Sequence, residues 1–326
     1  MKTQKLFIFI FSIILCHSCE TQDPSEPGNL VSATVVEDSS LKAINLSGTS
    51  LHYASYGNPN GTKIFVLEGG PGDDFRYLLD LNQNSKGWSL LQNYQVIYHD
   101  YRGCGLSQRH PKRELTMEKS LEDLEELVEH FAPGQKVIFI GHSHGGVVAT
   151  QYINSHPERV KGAILLEPGA LSVKINENLP EANAVNLLGK DINQTLWIKQ
   201  LIGLDDHEKA DYYYGIARVT LNSENRGESC PSKNFRGGAA AALAIAIEEV
   251  NDGSYDFTTH LDIYKQQVLF ISSDESDLGY SFQEKYQVDQ FPNHRHIKME
   301  GTGHNGIINC RTTETLDYIK EYLETL

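Results

Sequence analysis

Positive charge is scarce in this chain: 28 Lys and Arg stand against 43 Asp and Glu, a formal net charge of −15. Phosphate backbones are held by cationic surfaces, so this balance argues against nucleic acid as a partner. Long apolar runs are scarce too. Apart from a stretch of about ten residues near the start, no segment approaches the ~20 apolar residues that span a bilayer. No internal repeat or low-complexity block is visible, and the 40% hydrophobic content is that of an ordinary globular chain. Cysteine is sparse: of the five, Cys16 and Cys19 fall among the first twenty residues and leave Cys104, Cys230 and Cys310. At 326 residues, there is room for one large domain or for a core with a smaller insertion.

The first residues read as a targeting segment. Lys2 and Lys5 precede the apolar run Leu6 to Leu15, which is too short to span a membrane and fits a signal-peptide core. Cys16-His17-Ser18-Cys19 follows, and then a polar, Pro-containing stretch to Gly28. This resembles a bacterial lipoprotein signal with Cys19 as the lipidated residue, although Cys16 stands where the lipobox usually carries Leu. The expectation is a signal peptide over 1–18 and a lipid-anchored tether over 19–42. Membrane contact would be through Cys19 at the cell envelope. A plain secretory signal, with Cys19 incidental, is the alternative. On either reading the chain leaves the cytoplasm, where one disulfide among Cys104, Cys230 and Cys310 becomes possible, its pairing open.

From about residue 43 the chain alternates strand-like and helix-like segments, the pattern of a mostly parallel sheet covered by helices. Lys63–Leu67, Gln95–His99, Lys136–Ile140, Gly162–Leu166, Gln267–Ser272 and His296–Met299 are short apolar runs suited to strands buried on both faces. Thr49–Tyr56 alternates more, as an antiparallel edge would. Ser120-Leu121-Glu122-Asp123 reads as a capping box, followed by Leu124, Val128 and Phe131 at helical spacing and stopped at Pro133-Gly134. Leu316, Ile319, Leu323 and Leu326 mark a C-terminal amphipathic helix. The alternation breaks over about 172–262, where Thr195–Ile202 and Gly237–Val250 look helical and no buried strand occurs. The expected organisation is a core over 43–171 and 263–326 with a cap inserted between the sixth and seventh strands.

Chemistry concentrates at strand ends. Gly141-His142-Ser143-His144-Gly145 lies between a strand and a helix, the setting of a nucleophile elbow. A strained turn there exposes a serine hydroxyl, and the following helix points its positive end at a developing oxyanion. Glu68-Gly69-Gly70-Pro71-Gly72 ends an earlier strand and can bring a backbone N–H toward the same point. The predicted oxyanion hole is the N–H of Gly70 (or Gly69) with that of His144. His304, in Gly303-His304-Asn305-Gly306 after the last strand, is placed as the general base. His142 and His144 flank the nucleophile on a tight turn and point away from its hydroxyl. They do not make a metal site, since no carboxylate or Cys lies nearby at ligand spacing. Asp100 and Arg102, in Asp100-Tyr101-Arg102-Gly103-Cys104-Gly105-Leu106-Ser107, are expected to pair and hold loops, with Cys104 simply packed.

Gly-Gly-Pro-Gly, then Asp-x-Arg-Gly-x-Gly-x-Ser, then Gly-x-Ser-x-Gly-Gly resembles the proline iminopeptidase branch of the α/β hydrolases. The likeness runs over residues 48–170 and 265–326. The resemblance implies an α/β-hydrolase fold: a mostly parallel sheet flanked by helices, with an inserted helical cap. Two positions depart from it: Glu68 stands where the family usually has His, and His144 where it commonly has Trp. The family pattern puts the acid a few residues beyond the strand Gln267–Ser272, so Asp277 is the first choice and Asp274 the second. Glu167, at the preceding strand end where some lipases carry their acid, is the third.

The expected chemistry is acyl transfer from an ester or amide through Ser143, on a small-molecule or short-peptide substrate and with no cofactor or metal. The resembled aminopeptidases need a carboxylate for the substrate amine, for which the cap offers Glu248 and Glu249. A carboxylesterase needs none, and a non-catalytic binding protein on the same fold is the third reading. Dehalogenase and epoxide hydrolase chemistry are disfavoured, because those enzymes use Asp where this chain has Ser143.

Overall fold

The computed structural model describes residues 31–179, 207–222, 230, 236–251 and 255–326. The expected signal segment over 1–18, Cys19 and the helical stretch expected over Thr195–Ile202 lie outside these residues. Among the described residues no helix is long and apolar enough to cross a membrane.

Eight strands form one sheet: β1 (Ala43–Leu46), β2 (Thr49–Gly57), β3 (Thr62–Leu67), β4 (Tyr94–His99), β5 (Val137–His142), β6 (Val160–Leu166), β7 (Val268–Ser273) and β8 (His294–Met299). Their spatial order is β1-β2-β4-β3-β5-β6-β7-β8. The β1–β2 and β2–β4 pairs are antiparallel, and every later pair is parallel. The alternating segment at 49–56 is thus the antiparallel margin expected of it, while β1 was not foreseen: four residues with one buried side chain give no readable period.

The central strands are apolar throughout because both faces are covered. Phe65, Leu67, Phe139, Leu165 and Phe270 pack on one side with Leu124, Leu127 and Val128 of α1 (Met117–Phe131) and with Val147, Val148 and Tyr152 of α2 (His144–Ser155). Val66, Ile140, Ile164 and Ile271 pack on the other side with Leu316, Ile319, Tyr322 and Leu323 of the C-terminal helix. The first of these helices begins earlier than expected. Thr116 caps it by accepting from the Lys119 N–H, and Ser120, read as the cap, instead donates back to the Thr116 carbonyl from within the helix.

Two described helices of the insertion, α3 (His207–Asn222) and α4 (Ala239–Asn251), lie between β6 and β7 in the chain. They dock on the Gly-rich loops of the core. Gly238 donates to the Gly72 carbonyl at 2.9 Å, Tyr214 Oη to the Pro71 carbonyl at 3.1 Å, and Arg109 pairs with Asp211 at 2.7 Å. A disulfide joins Cys230 to Cys310, which fixes the pairing the sequence left open, and Cys104 is a buried free thiol.

Candidate active site

In a parallel sheet the strand C-termini open on one edge, where loops and helix N-termini gather polar groups. Here that edge carries Glu68 after β3, Asp100 after β4, Ser143 after β5, Glu167 after β6, Asp274 and Asp277 after β7 and His304 after β8.

Ser143 sits at φ 54°, ψ −120°, a left-handed conformation that costs a non-glycine residue on the order of 1–3 kcal/mol. The turn is tight because the helix start presses on the neighbouring strand. A β-carbon at Gly145 would lie 2.2 Å from the Leu67 carbonyl oxygen, so only glycine fits. Hydrogen bonds hold the strain: Ser143 N–H donates to the Leu166 carbonyl at 3.1 Å, and the Ser143 carbonyl accepts from Gly146 and Gly169. Ser143 leads α2 without using its side chain as a cap, so the serine stands at the positive end of the helix.

His304 is buried and its Nδ1 is 2.7 Å from Glu167 Oε1. Glu167 Oε2 accepts from both the N–H and the hydroxyl of Ser273, at 2.8 and 2.6 Å. Burial alone would raise the Glu167 pKa. The His304 charge and hydrogen bonds from His304, Ser273 and Ser276 outweigh it and hold the carboxyl below its usual range. Glu167 is also one of three non-glycine residues at positive φ among the described residues, at 46°, which turns its side chain off the end of β6.

The carboxylate against the imidazole is therefore Glu167, the third choice of the sequence reading. Asp277 is exposed. Asp274 accepts from the Gly301 and Thr302 N–H groups, at 2.8 and 3.4 Å, and so shapes the turn that leads to His304. The physical reason is reach: Ser273, at the end of β7, donates to Glu167 through both its N–H and its hydroxyl, so this strand end supplies donors to Glu167 and no carboxylate to His304.

On the other side of Ser143, a β-carbon at Gly69 would sit 3.0 Å from Ser143 Cβ, so the Gly-rich loop closely approaches the serine. The Gly69 N–H is committed to Tyr77 Oη at 2.7 Å, which leaves Gly70 as the better of the two expected loop donors. His142 and His144 do turn elsewhere. His142 Nδ1 meets Tyr77 Oη at 2.7 Å, and the His144 ring lies edge-on to Tyr101.

One expectation fails here. Asp100 and Arg102 do not pair with each other. Arg102 makes a bidentate pair with Asp123 of α1, while Asp100 takes His52 at 2.9 Å and the N–H groups of Phe75 and Leu106. Glu248, one of the acids the cap offers, accepts the Met117 N–H at the start of α1 through its Oε2. Glu249 has no described side chain.

Tyr77 was missed by the sequence reading. It lies in a 3-10 helix, Phe75–Asn82, whose only sequence signal is the Asp74 cap before it.

Comparison with known proteins gives a consistent picture. The family model described as alpha/beta hydrolase fold matches residues 64–309. A proline iminopeptidase of Saccharolobus solfataricus is 32% identical over 123 residues, 36% of this chain and 37% of that protein. A cis-3-alkyl-4-alkyloxetan-2-one decarboxylase of Shewanella oneidensis is 27% identical over 141 residues, 43% and 42% of the two chains. The chain thus spans less than half the length of these relatives. The solved structure of a proline iminopeptidase-related protein from Thermus thermophilus covers 88% of this chain and 97% of its own at 21% identity, with a TM-score of 0.61. Strand order, elbow and family match agree, and the chain belongs to the alpha/beta hydrolase fold family.

Proposed function

We propose that this hydrolase cleaves an ester or amide by covalent acyl transfer at Ser143, with His304 as base and Glu167 as acid. The observation that carries the reading is the 2.7 Å contact of His304 Nδ1 with a buried carboxylate held ionised, on the same sheet edge as the strained serine. In this mechanism His304 takes the Ser143 proton as the hydroxyl attacks the carbonyl. Glu167 fixes the tautomer and stabilises the imidazolium. The N–H groups of Gly70 and His144 hold the tetrahedral oxyanion, each such donor being worth roughly 2.7–4 kcal/mol. Water, activated by His304, then releases the acyl group.

The resemblance to proline iminopeptidases favours an N-terminal aminoacyl or prolyl substrate. The engagement of Glu248 with the core favours the second reading, a carboxylesterase that needs no amine-binding carboxylate. Purified chain and its Ser143→Ala variant, assayed on prolyl and other aminoacyl anilides beside short-chain p-nitrophenyl esters, separate the two. Turnover is expected to vanish in the variant while the fold is kept, since the residue is small and at a turn. Activity that survived the substitution would end the serine mechanism, and ester cleavage alone would select the esterase. For location, the Cys230–Cys310 disulfide supports an oxidising compartment outside the cytoplasm, in line with export. Anchoring through Cys19 predicts that Cys19→Ser releases the protein from the membrane fraction.

A further inference from the structure

Three loops must hold register for the proposed chemistry: the Gly-rich loop, the elbow and the loop bearing His304. One chain of buried hydrogen bonds runs through all three. Gly69 N–H donates to Tyr77 Oη at 2.7 Å, Tyr77 Oη meets His142 Nδ1 at 2.7 Å, and His142 Nε2 meets the His304 carbonyl oxygen at 3.1 Å.

The donors can be assigned by elimination. A carbonyl oxygen only accepts, so His142 carries its proton on Nε2 and donates to His304. In the neutral ring Nδ1 then accepts, and the hydrogen bond to it comes from the Tyr77 hydroxyl. That hydroxyl is left to accept from Gly69. Burial, together with the Asp73 charge, pushes the Tyr77 pKa well up, so the phenol keeps its proton. The direction of every bond is therefore fixed, and reversing one would leave a buried group unmatched.

The packing agrees. The His142 and His304 rings lie 4.5 Å apart between centroids, and Tyr77 stands edge-on to His142 at 5.5 Å. A second link runs beside the first: Asn309, in the helical turn Gly306–Asn309 just after His304, donates to the Tyr77 carbonyl at 2.9 Å. The 3-10 helix bearing Tyr77 thus braces the Gly-rich loop and the His304 loop at once.

We infer that Tyr77 and His142 are positioning residues, a single relay that sets the Gly69–Gly70 peptide against the elbow and seats His304 against Ser143. The inference rests on the acyl-enzyme reading above. It assigns a duty to the residue just before the nucleophile, which the triad leaves without one. Tyr77 reaches no reacting atom; it acts through the Gly69 N–H on one side and His142 on the other. Displacing reacting groups by about 1 Å can cost on the order of 10²-fold in rate, so the relay should appear in rate more than in binding.

A fluorophosphonate probe tests this without a known substrate, because it labels only an activated serine. In Tyr77→Phe the ring stays, Asn309 still holds the Tyr77 backbone, and the melting temperature should move by only a few degrees. The rate of Ser143 phosphonylation should fall by roughly 10–100-fold. The pH profile of labelling should keep its shape, because the relay passes no proton to or from Ser143. His142→Ala should cost a similar factor. The double variant should be little worse than either single, since the residues act as one unit. His142→Gln, which keeps an N–H toward the His304 carbonyl, should recover part of the rate, whereas His142→Asn, too short to reach it, should not. Boronic acid binding, which draws on the oxyanion donors, should weaken in Tyr77→Phe alongside the labelling rate.

Folded Tyr77→Phe labelled at the unaltered rate would overturn the relay, as would strictly multiplicative losses in the double variant. Should Tyr77→Phe fail to fold, the Gln and Asn pair at His142 decides alone: equal rates in the two would overturn it. Failure of the unsubstituted protein to label at Ser143 would instead strike the acyl-enzyme reading, so the two failures are distinguishable.

Discussion

Two glutamates, Glu68 and Glu167, end central parallel strands of the same sheet, and both are fully buried. Their surroundings drive them in opposite directions. Glu167 faces His304 and the two donors of Ser273, and these hold it ionised. Burial pushes the Glu68 carboxyl well up, the charges of Asp100, Asp74 and Asp73 add to the push, and the Tyr101 N–H, at 3.2 Å, opposes it. Its Oε2 has no hydrogen-bond partner among the described residues. Residue type and strand-end position are thus the same, and the protonation state is decided by the count of donors against like charges. One carboxyl can serve as a charged orienting group. The other, beneath the Gly-rich loop, is driven toward its neutral form by burial and the neighbouring carboxylates. That recasts the departure at Glu68: a protonated carboxyl offers one donor and acceptor sites, as a neutral imidazole does, so an uncharged polar group stands where the resembled family usually has His.

The contrast breaks most visibly at Glu167. Glu167→Gln keeps the shape, but offers one acceptor oxygen where His304 and Ser273 supply three donor groups, and turns an amide N–H toward them. The imidazole is then free to take the wrong tautomer. Loss of orientation of this kind in a serine triad costs about 10⁴-fold in kcat. The expected outcome is a fall of roughly 10³–10⁴-fold in kcat/KM, measured on folded protein, with a lowered melting temperature. A loss under tenfold would mean that another carboxylate, Asp274 or Asp277, completes the site.

The next largest effect is on stability against pH. Glu167 has a lowered folded pKa, so its contribution is present above its unfolded value, 4.5, and is lost as pH falls through the folded one. Glu68 has a raised folded pKa, so its contribution is full below 4.5 and is lost as pH rises. His99, buried on β4, is pushed down to about 4 from 6.5. Its contribution is therefore present above 6.5 and declines as pH falls toward 4. Between pH 4.5 and 6.5 Glu68 and His99 oppose each other, each with a slope of up to about 1.4 kcal/mol per pH unit. Asp74, raised by burial and the Asp100 charge from 3.8 to about 7, adds a second falling slope, so the unsubstituted protein should lose stability as pH rises through this window. Glu68→Gln removes one falling slope and should flatten the profile, whereas His99→Phe removes the rising one and should steepen the fall. Denaturant midpoints across the window read both changes, and a slope left unmoved by either substitution would contradict the assignment.

These contrasts also mark how far the sequence could be read. The strands Lys63–Leu67, Gln95–His99 and Gly162–Leu166 were legible because burial on both faces writes a continuous apolar run. The places of Ser143 and His304 at strand ends were legible because their glycine settings are local consequences of a strained turn and a loop. The carboxylate that meets His304 was not. Glu167, Asp274 and Asp277 are all carboxyls at strand ends, and which one meets His304 depends on the side-chain direction set by φ 46° at Glu167 and on where Ser273 points. Tyr77 escaped for the same reason. Its hydroxyl serves Gly69 and His142 from eight and 65 positions away, and spacing carries no trace of such a contact. The Cys230–Cys310 pair likewise joins residues 80 apart through the insertion, whose docking no periodicity announces.

The smallest expected effect is the most informative about the Gly-rich loop. If Glu68 is neutral at working pH, Glu68→Gln replaces an uncharged polar group by another of nearly the same size. The Gln oxygen can still accept the Tyr101 N–H. The carboxylate charge that burial and Asp100 oppose then disappears from the folded state altogether. Turnover should stay within roughly a few-fold of the unsubstituted enzyme, and stability above neutral pH should rise, because no cost of deprotonation remains to be met there. Glu68→Asp should be worse than Gln on both counts: it keeps the ionisable group, shortens its reach to Tyr101 and opens space beside Gly69. Were Gln instead to lose activity as steeply as Glu167→Gln does, Glu68 would have to be ionised and in use. The two buried glutamates would then differ in partner and not in charge.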